Sequence, residues 1–248
     1  MKIGISSSSF IEKDLQKSLE FTESLKVKYF EILNEYPNTE NETDILNSYD
    51  LKYTVHSPIT DLNLASLNKT IRKASIDEVK LSIDLASGLN SDIVVIHPSG
   101  LTLSGKPCEE KILAKCKNSL KICGDYGKNN DVITTVENMS NMKGFLYQNI
   151  YKLNKLLLDL KMNMTMDIGH ACTLGFKEKE LYFESIKHIH LSNNFRDYDS
   201  HLGLEQGDIN FKKIFTLFKK KGYDGIYMIE VNNEKSIINS LNFLKKSK

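Results

Sequence analysis

Short apolar runs alternate along the chain with longer stretches whose apolar residues fall at helical spacing. The first run is 2–6, and 10–26 follows it with Leu15, Leu19, Phe21 and Leu25 about a turn or less apart. Run 29–33 leads through a polar stretch, 34–41, to a short helix at 44–49. Run 53–56 is stopped by Pro58, and a long helix over 67–86 is closed by Gly88. Runs 92–97, 132–137, 164–167, 187–191 and 225–231 are paired in the same way with helices over 109–126, 145–160, 179–185, 211–221 and 234–246. Run 92–97 is apolar almost throughout, as a strand covered on both faces requires. Eight strand-then-helix units with no leftover segment predict an α/β architecture with parallel pairing, a single (β/α)8 barrel. No linker or change of composition divides the chain, so one domain over 1–248 is expected, and no GxGxxG or GxxxxGK[ST] loop favours two doubly wound halves.

The runs share a second feature: they stop on groups that bind metal or move protons. His56, His97, Glu137, Asp167, His190 and Glu230 end six different runs, and His170 follows Asp167 by three residues. Alternate strand residues share a face, so Glu137 goes with Ile133 and Thr135, Glu230 with Ile226 and Met228, and His97 with Val95 and Ile93. That pattern predicts an apolar lower barrel capped by ionisable groups at the C-terminal rim, where barrel active sites sit. Any one of these residues could be a loop cap or half of an ion pair. Together, carboxylates and imidazoles at one buried rim would repel or protonate unless a cation joined them. Mixed Asp/Glu/His ligation suits Zn, Mn, Co or Fe better than Ca. His188 faces the same way as His190 one layer deeper, where a place behind the ligands or in the core is expected rather than the alternative, a ligand itself. Glu31 is expected either to support a ligand or to form a buried ion pair, and Cys172 to be a bystander.

Composition narrows the partners. Lys plus Arg is 33 against Asp plus Glu 32, and the net charge of +1 carries no signature of nucleic-acid binding. Cys108, Cys116, Cys123 and Cys172 show no CxxC or framework spacing, and neither a signal peptide nor a run of membrane-spanning length is expected. A reduced, cytoplasmic enzyme with no membrane partner is expected.

The motifs Val55-His56-Ser57-Pro58, Ile96-His97-Pro98-Ser99-Gly100, Val136-Glu137-Asn138-Met139, Asp167-Ile168-Gly169-His170-Ala171, 188–194 and 199–211 together resemble one family. The chain is similar to the xylose isomerase-like TIM barrels, which join sugar isomerases and epimerases with AP endonucleases of the endonuclease IV type. The resemblance covers essentially the whole chain.

In the epimerase branch it implies one divalent metal held by Glu137, Asp167, His190 and Glu230. Glu137 and Glu230 would also remove and return a proton through a metal-stabilised enediolate. His170 and Arg196 match substrate-binding positions there, although Arg196 read by itself is equally a surface arginine. The substrate would be a sugar, sugar phosphate or keto-acid. In the endonuclease branch it implies up to three zinc ions, with His56 and His97 on Glu137 for one and His170, Asp199 and His201 for another. The Asp199-x-His201 loop also occurs among the sugar isomerases. This chain departs from the usual loop with Glu205-Gln206-Gly207 in place of a Gly-x-Gly step, and with Asn210 where Asp is usual. Against a nuclease, the stretch 34–41 is acidic and has no arginine, and the charge is neutral where phosphate contacts need Lys and Arg. The isomerase or epimerase is the expected function. The endonuclease, with nucleic acid as partner, is the alternative, and a non-catalytic metal-binding barrel or a related lyase is a third class.

Overall fold

Eight parallel strands follow one another around a closed barrel in chain order, with the last paired to the first. In this computed structural model, residues 1–10, 14–35, 43–101 and 106–246 are described. The strands are β1 (Lys2–Ser6), β2 (Tyr29–Leu33), β3 (Lys52–His56), β4 (Ile93–Ile96), β5 (Ile133–Glu137), β6 (Asn163–Asp167), β7 (Ile186–Leu191) and β8 (Ile226–Ile229). The helices are α1 (Leu15–Ser24), α2 (Thr43–Asn47), α3 (Lys69–Gly88), α4 (Glu109–Asn129), α5 (Ile150–Leu160), α6 (Ile168–Thr173), α7 (Phe211–Lys220) and α8 (Glu234–Lys246). The fold is a (β/α)8 barrel. No helix among the described residues is long and apolar enough to cross a membrane.

Strand alternation sorts the core into two parts. Ile93, Val95, Ile226 and Met228 pack together with Tyr29 inside the barrel, while the larger cluster lies between the sheet and the helices. The interior is more polar than the alternation implied. Thr135 Oγ1 and Thr165 Oγ1 share a hydrogen bond of 2.7 Å, and Thr54 Oγ1 donates to Glu31 at 2.9 Å. These three hydroxyls are tolerated there because each finds a partner; unpaired, each would cost about 1–3 kcal/mol.

Helix boundaries differ from the sequence reading most at three places. A helix was expected over 179–185, but α6 begins on Asp167 itself, whose side chain accepts from the His170 N–H at 2.6 Å. All six α6 residues are buried, so no polar face marked it as helix; 178–180 forms only a 3-10 turn. α1 starts at Leu15, capped by Asp14 accepting from Lys17 N–H, and Ser7–Phe10 is a separate 3-10 turn. α5 starts at Ile150, where Asn149 caps the N–H groups of Tyr151 and Lys152. Of the acidic stretch 34–41, residues 36–41 lie outside the described residues.

Candidate metal centre

The strand ends bring the ionisable groups to one mouth. The pairing of β6 with β7 shifts register between Met164 and Thr165, which sets Asp167 beside His190. Glu137 ends β5, and Glu230 follows β8 with its N–H donating to the Leu191 carbonyl at 3.0 Å. Ligand atoms from Glu137, Asp167, His190 and Glu230 all lie within 4.8 Å of one another. His190 Nδ1 stands 2.9 Å from Glu230 Oε2 and 3.3 Å from Glu137 Oε1.

Two further groups adjoin this one. His56 Nε2 and His97 Nε2 each lie 3.2 Å from Glu137 Oε2, and His56, Glu137 and His190 form an ion-sized cluster. His170 Nε2 and His201 Nε2 converge on Asp199 Oδ2 at 2.9 and 3.3 Å in another. All nine candidate ligands are therefore near neighbours. Arg196 is not among them: its Nη1 donates to the Phe176 carbonyl at 3.1 Å and its Nη2 pairs with Glu178 at 2.5 Å.

The rings are aimed by their other nitrogens. A carbonyl can only accept, so the Nδ1 atoms of His56, His170 and His201 carry protons toward the carbonyls of Ser57, Asn138 and Glu230 at 2.7, 2.8 and 3.0 Å. Each Nε2 is left facing the site. Below them His188 Nε2 and His190 Nε2 approach opposite oxygens of Glu31, Oε2 at 2.9 Å and Oε1 at 3.0 Å, with all three residues fully buried.

Asparagines hold the frame. Asn194 donates to the Gly169 carbonyl at 3.0 Å, and Asn193 pairs with Leu202 in an antiparallel bridge that turns the chain toward Asp199 and His201. Gly207, at φ 101°, closes that loop where a Cβ would come 2.6 Å from the Asn194 carbonyl oxygen. The sequence reading did not single out Asn138, Asn193 or Asn194 for roles, although all three lie within the motifs that carried the resemblance.

Burial and charge oppose each other throughout. Burial pushes Glu137 upward, but His190 and His97, with hydrogen bonds from His190 and His56, hold it well below the usual carboxylate range. Burial also raises Glu230, and His190 more than reverses it, to about 2. Asp167 goes the other way: burial, reinforced by Glu137 and Asp199, lifts it to about 7 despite attraction from His170. Burial lowers His190 and His170, yet neighbouring carboxylates raise both well above the ordinary histidine value. His201 likewise rises to about 10, burial being outweighed by Asp199 and Glu230. His97 ends lowered, because burial exceeds what Glu137 returns. These shifts favour the protonated form of His190, His170 and His201 beside the carboxylates.

That balance is one observation by which the residues fit a divalent cation. Among the described residues no Lys or Arg pairs with Glu137, Asp167, Asp199 or Glu230. Asp167 Oδ2 and Asp199 Oδ1 are buried without a hydrogen-bond partner. Buried carboxylates normally have partners, and the oxygen–nitrogen donor set suits Zn, Mn or Co. Cys172 is buried and adds nothing to this set; burial pushes its thiol up to about 12.

The model of the xylose isomerase-like TIM barrel family matches residues 17–247. An uncharacterized protein of Methanocaldococcus jannaschii is 35% identical over 243 residues, covering 94% of this chain and 93% of that protein. A crystal structure of a D-tagatose 3-epimerase-like protein superposes with TM-score 0.92 at 28% identity, over 100% of this chain and 97% of that one. A D-psicose 3-epimerase crystallised in the presence of D-fructose gives TM-score 0.82 at 13% identity, over 100% and 98%, a likeness of fold. With its barrel closed, its strand-end carboxylates and imidazoles gathered at one mouth and the family model matched over nearly its full length, this chain belongs to the xylose isomerase-like TIM barrels.

Proposed function

We propose that this chain is a divalent-metal-dependent isomerase or epimerase acting on a small sugar, sugar phosphate or keto-acid. The observation that carries the reading is the gathering of Glu137, Asp167, His190 and Glu230 within 4.8 Å, with no Lys or Arg among the described residues paired to their carboxylates. When bound there, a Zn, Mn or Co ion supplies positive charge against the negative charge that develops on substrate oxygens. Glu137 and Glu230 act as the proton-transferring pair, one removing a proton from the substrate carbon and the other returning one. His170 and Arg196 are the residues assigned to the substrate, and Arg196 must leave Glu178 to reach it. The names of the two solved relatives, a D-tagatose 3-epimerase-like protein and a D-psicose 3-epimerase, point to ketoses as the first substrates to try. All four cysteines are free, in keeping with a cytoplasmic location.

A second reading is a zinc phosphodiesterase or AP endonuclease. It is favoured by the additional clusters, His56 with Glu137 and His190, and His170 with Asp199 and His201, which offer more donors than one ion uses. Ketose incubated with metal-loaded protein in D2O gains deuterium under the first reading, and Glu230→Gln abolishes the gain. Bound metal near one ion per chain supports it. Nicking of abasic-site DNA with near three ions per chain, and no deuterium gain, replaces it with the second. Metal bound with neither activity leaves a non-catalytic metal-binding barrel.

A further inference from the structure

We infer that Glu31 is a positioning residue for His190: it fixes which ring nitrogen faces the ion and how strongly the centre holds it. The inference rests on the metal-centre reading above. His56, His170 and His201 are each anchored through Nδ1 to a backbone carbonyl and present Nε2. His190 is reversed. Its Nδ1 faces Glu230 and Glu137, and its Nε2 points down into the barrel toward Glu31 Oε1. A neutral imidazole that ligates through Nδ1 must keep its proton on Nε2, and that proton needs an acceptor. Glu31 is the group at the right distance, 3.0 Å, although the contact is bent away from a straight hydrogen bond. Contacts of this kind often straighten only when a site is loaded.

Glu31 is itself held for the task. Thr54 Oγ1 donates to its Oε2 at 2.9 Å, and His188 Nε2 lies 2.9 Å from the same oxygen, so Oε1 is reserved for His190. Thr54 sits on β3, Glu31 on β2 and both histidines on β7, so the chain of contacts crosses the barrel interior. An ion pair kept only for stability is a poor explanation. Burying a carboxylate and a ring costs several kcal/mol before their attraction is counted, and Ile93, Val95, Ile226 and Met228 fill other parts of the same interior without charge. A carboxylate is also a stronger acceptor than a carbonyl, and it raises the basicity of the ring it holds. Glu31, His188 and His190 could instead cradle a separate ion. That would require both nitrogens of His190 to face cations at once, leaving no place for its proton.

The test is Glu31→Gln, which keeps the shape and removes the charge. Its chelated form is expected to melt close to the wild type. Competition with a chromophoric chelator should show affinity for Zn or Co falling about 10–100-fold. The visible absorption of the Co-loaded protein should shift, and Glu31→Asp, which restores a carboxylate, should recover part of the loss. A folded Glu31→Gln protein that binds within about threefold of wild type, against the 10–100-fold expected of such partners, overturns the inference alone. If Glu31→Gln does not fold, Thr54→Val decides: it removes one of the two partners that hold Glu31 Oε2 while keeping the charge, so weaker binding supports the inference and unchanged binding overturns it. Wild-type protein that takes up neither ion overturns the metal centre and the inference with it.

Discussion

Asn138 and Asp167 hold each other through a reciprocal pair of hydrogen bonds. The Asn138 Nδ2 donates to the Asp167 carbonyl at 3.0 Å, and the Asp167 N–H donates to Asn138 Oδ1 at 2.9 Å. The side chain of Asn138 thus continues the pairing of β5 with β6 just past its end, where α6 begins. Both bonds are buried, so Asn138→Ala is expected to cost about 2–3 kcal/mol. At this chain length that is a fall in melting temperature of roughly 4–12 °C. Differential scanning calorimetry of the chelated protein checks it, and an unchanged transition would show that the pair does not stabilise the fold.

Glu137 takes part in two of the ion-sized clusters, whereas Asp199 takes part in one. Glu137→Gln is therefore expected to strip the most metal, and Asp199→Asn to weaken only the His170–His201 position. Metal analysis after dialysis, with chelator competition, distinguishes them. Equal losses from the two variants would mean that the clusters act as one.

Ion uptake should expel protons. His201, raised to about 10, and His190, well above the ordinary value, are protonated at pH 7 in the ion-free chain but must be neutral to ligate. Apparent affinity is expected to rise from pH 6 to pH 8. Calorimetric titration in two buffers of different ionisation enthalpy gives the proton count, and zero release contradicts the assignment. In the chelated protein the sign is opposite. A raised folded value makes the protonated ring stabilising below the unfolded histidine value, and that stability is lost as pH climbs through about 10.

Gly169 lets α6 turn directly off β6. A Cβ there would lie 2.4 Å from Ser192 Oγ and 3.3 Å from Asp167 Oδ1. Gly169→Ala is expected to destabilise by about 1–3 kcal/mol, as overpacking of a filled interior does, and to weaken ion binding by displacing Asp167. Adding Ser192→Gly removes the nearer clash and should restore most of the stability. A double variant no better than the single one would place the strain elsewhere.

By itself, the sequence determined the barrel and which side chains reach its mouth. Two-residue alternation decides which residues face inward, and eight strand-helix units can close on themselves, so Glu137, Asp167, His190 and Glu230 were legible as a set. Their strands are local objects, each written in a few adjacent residues. What only the tertiary structure decided involves partners far apart in the chain or fully buried elements. α6 was invisible because burial all round erases the helical period. The turning of Arg196 onto Glu178 depends on where two loops meet. The contact between His190 and Glu31 joins β7 to β2 across the barrel, and no spacing within either strand encodes it; only closure of the sheet brings those two residues together.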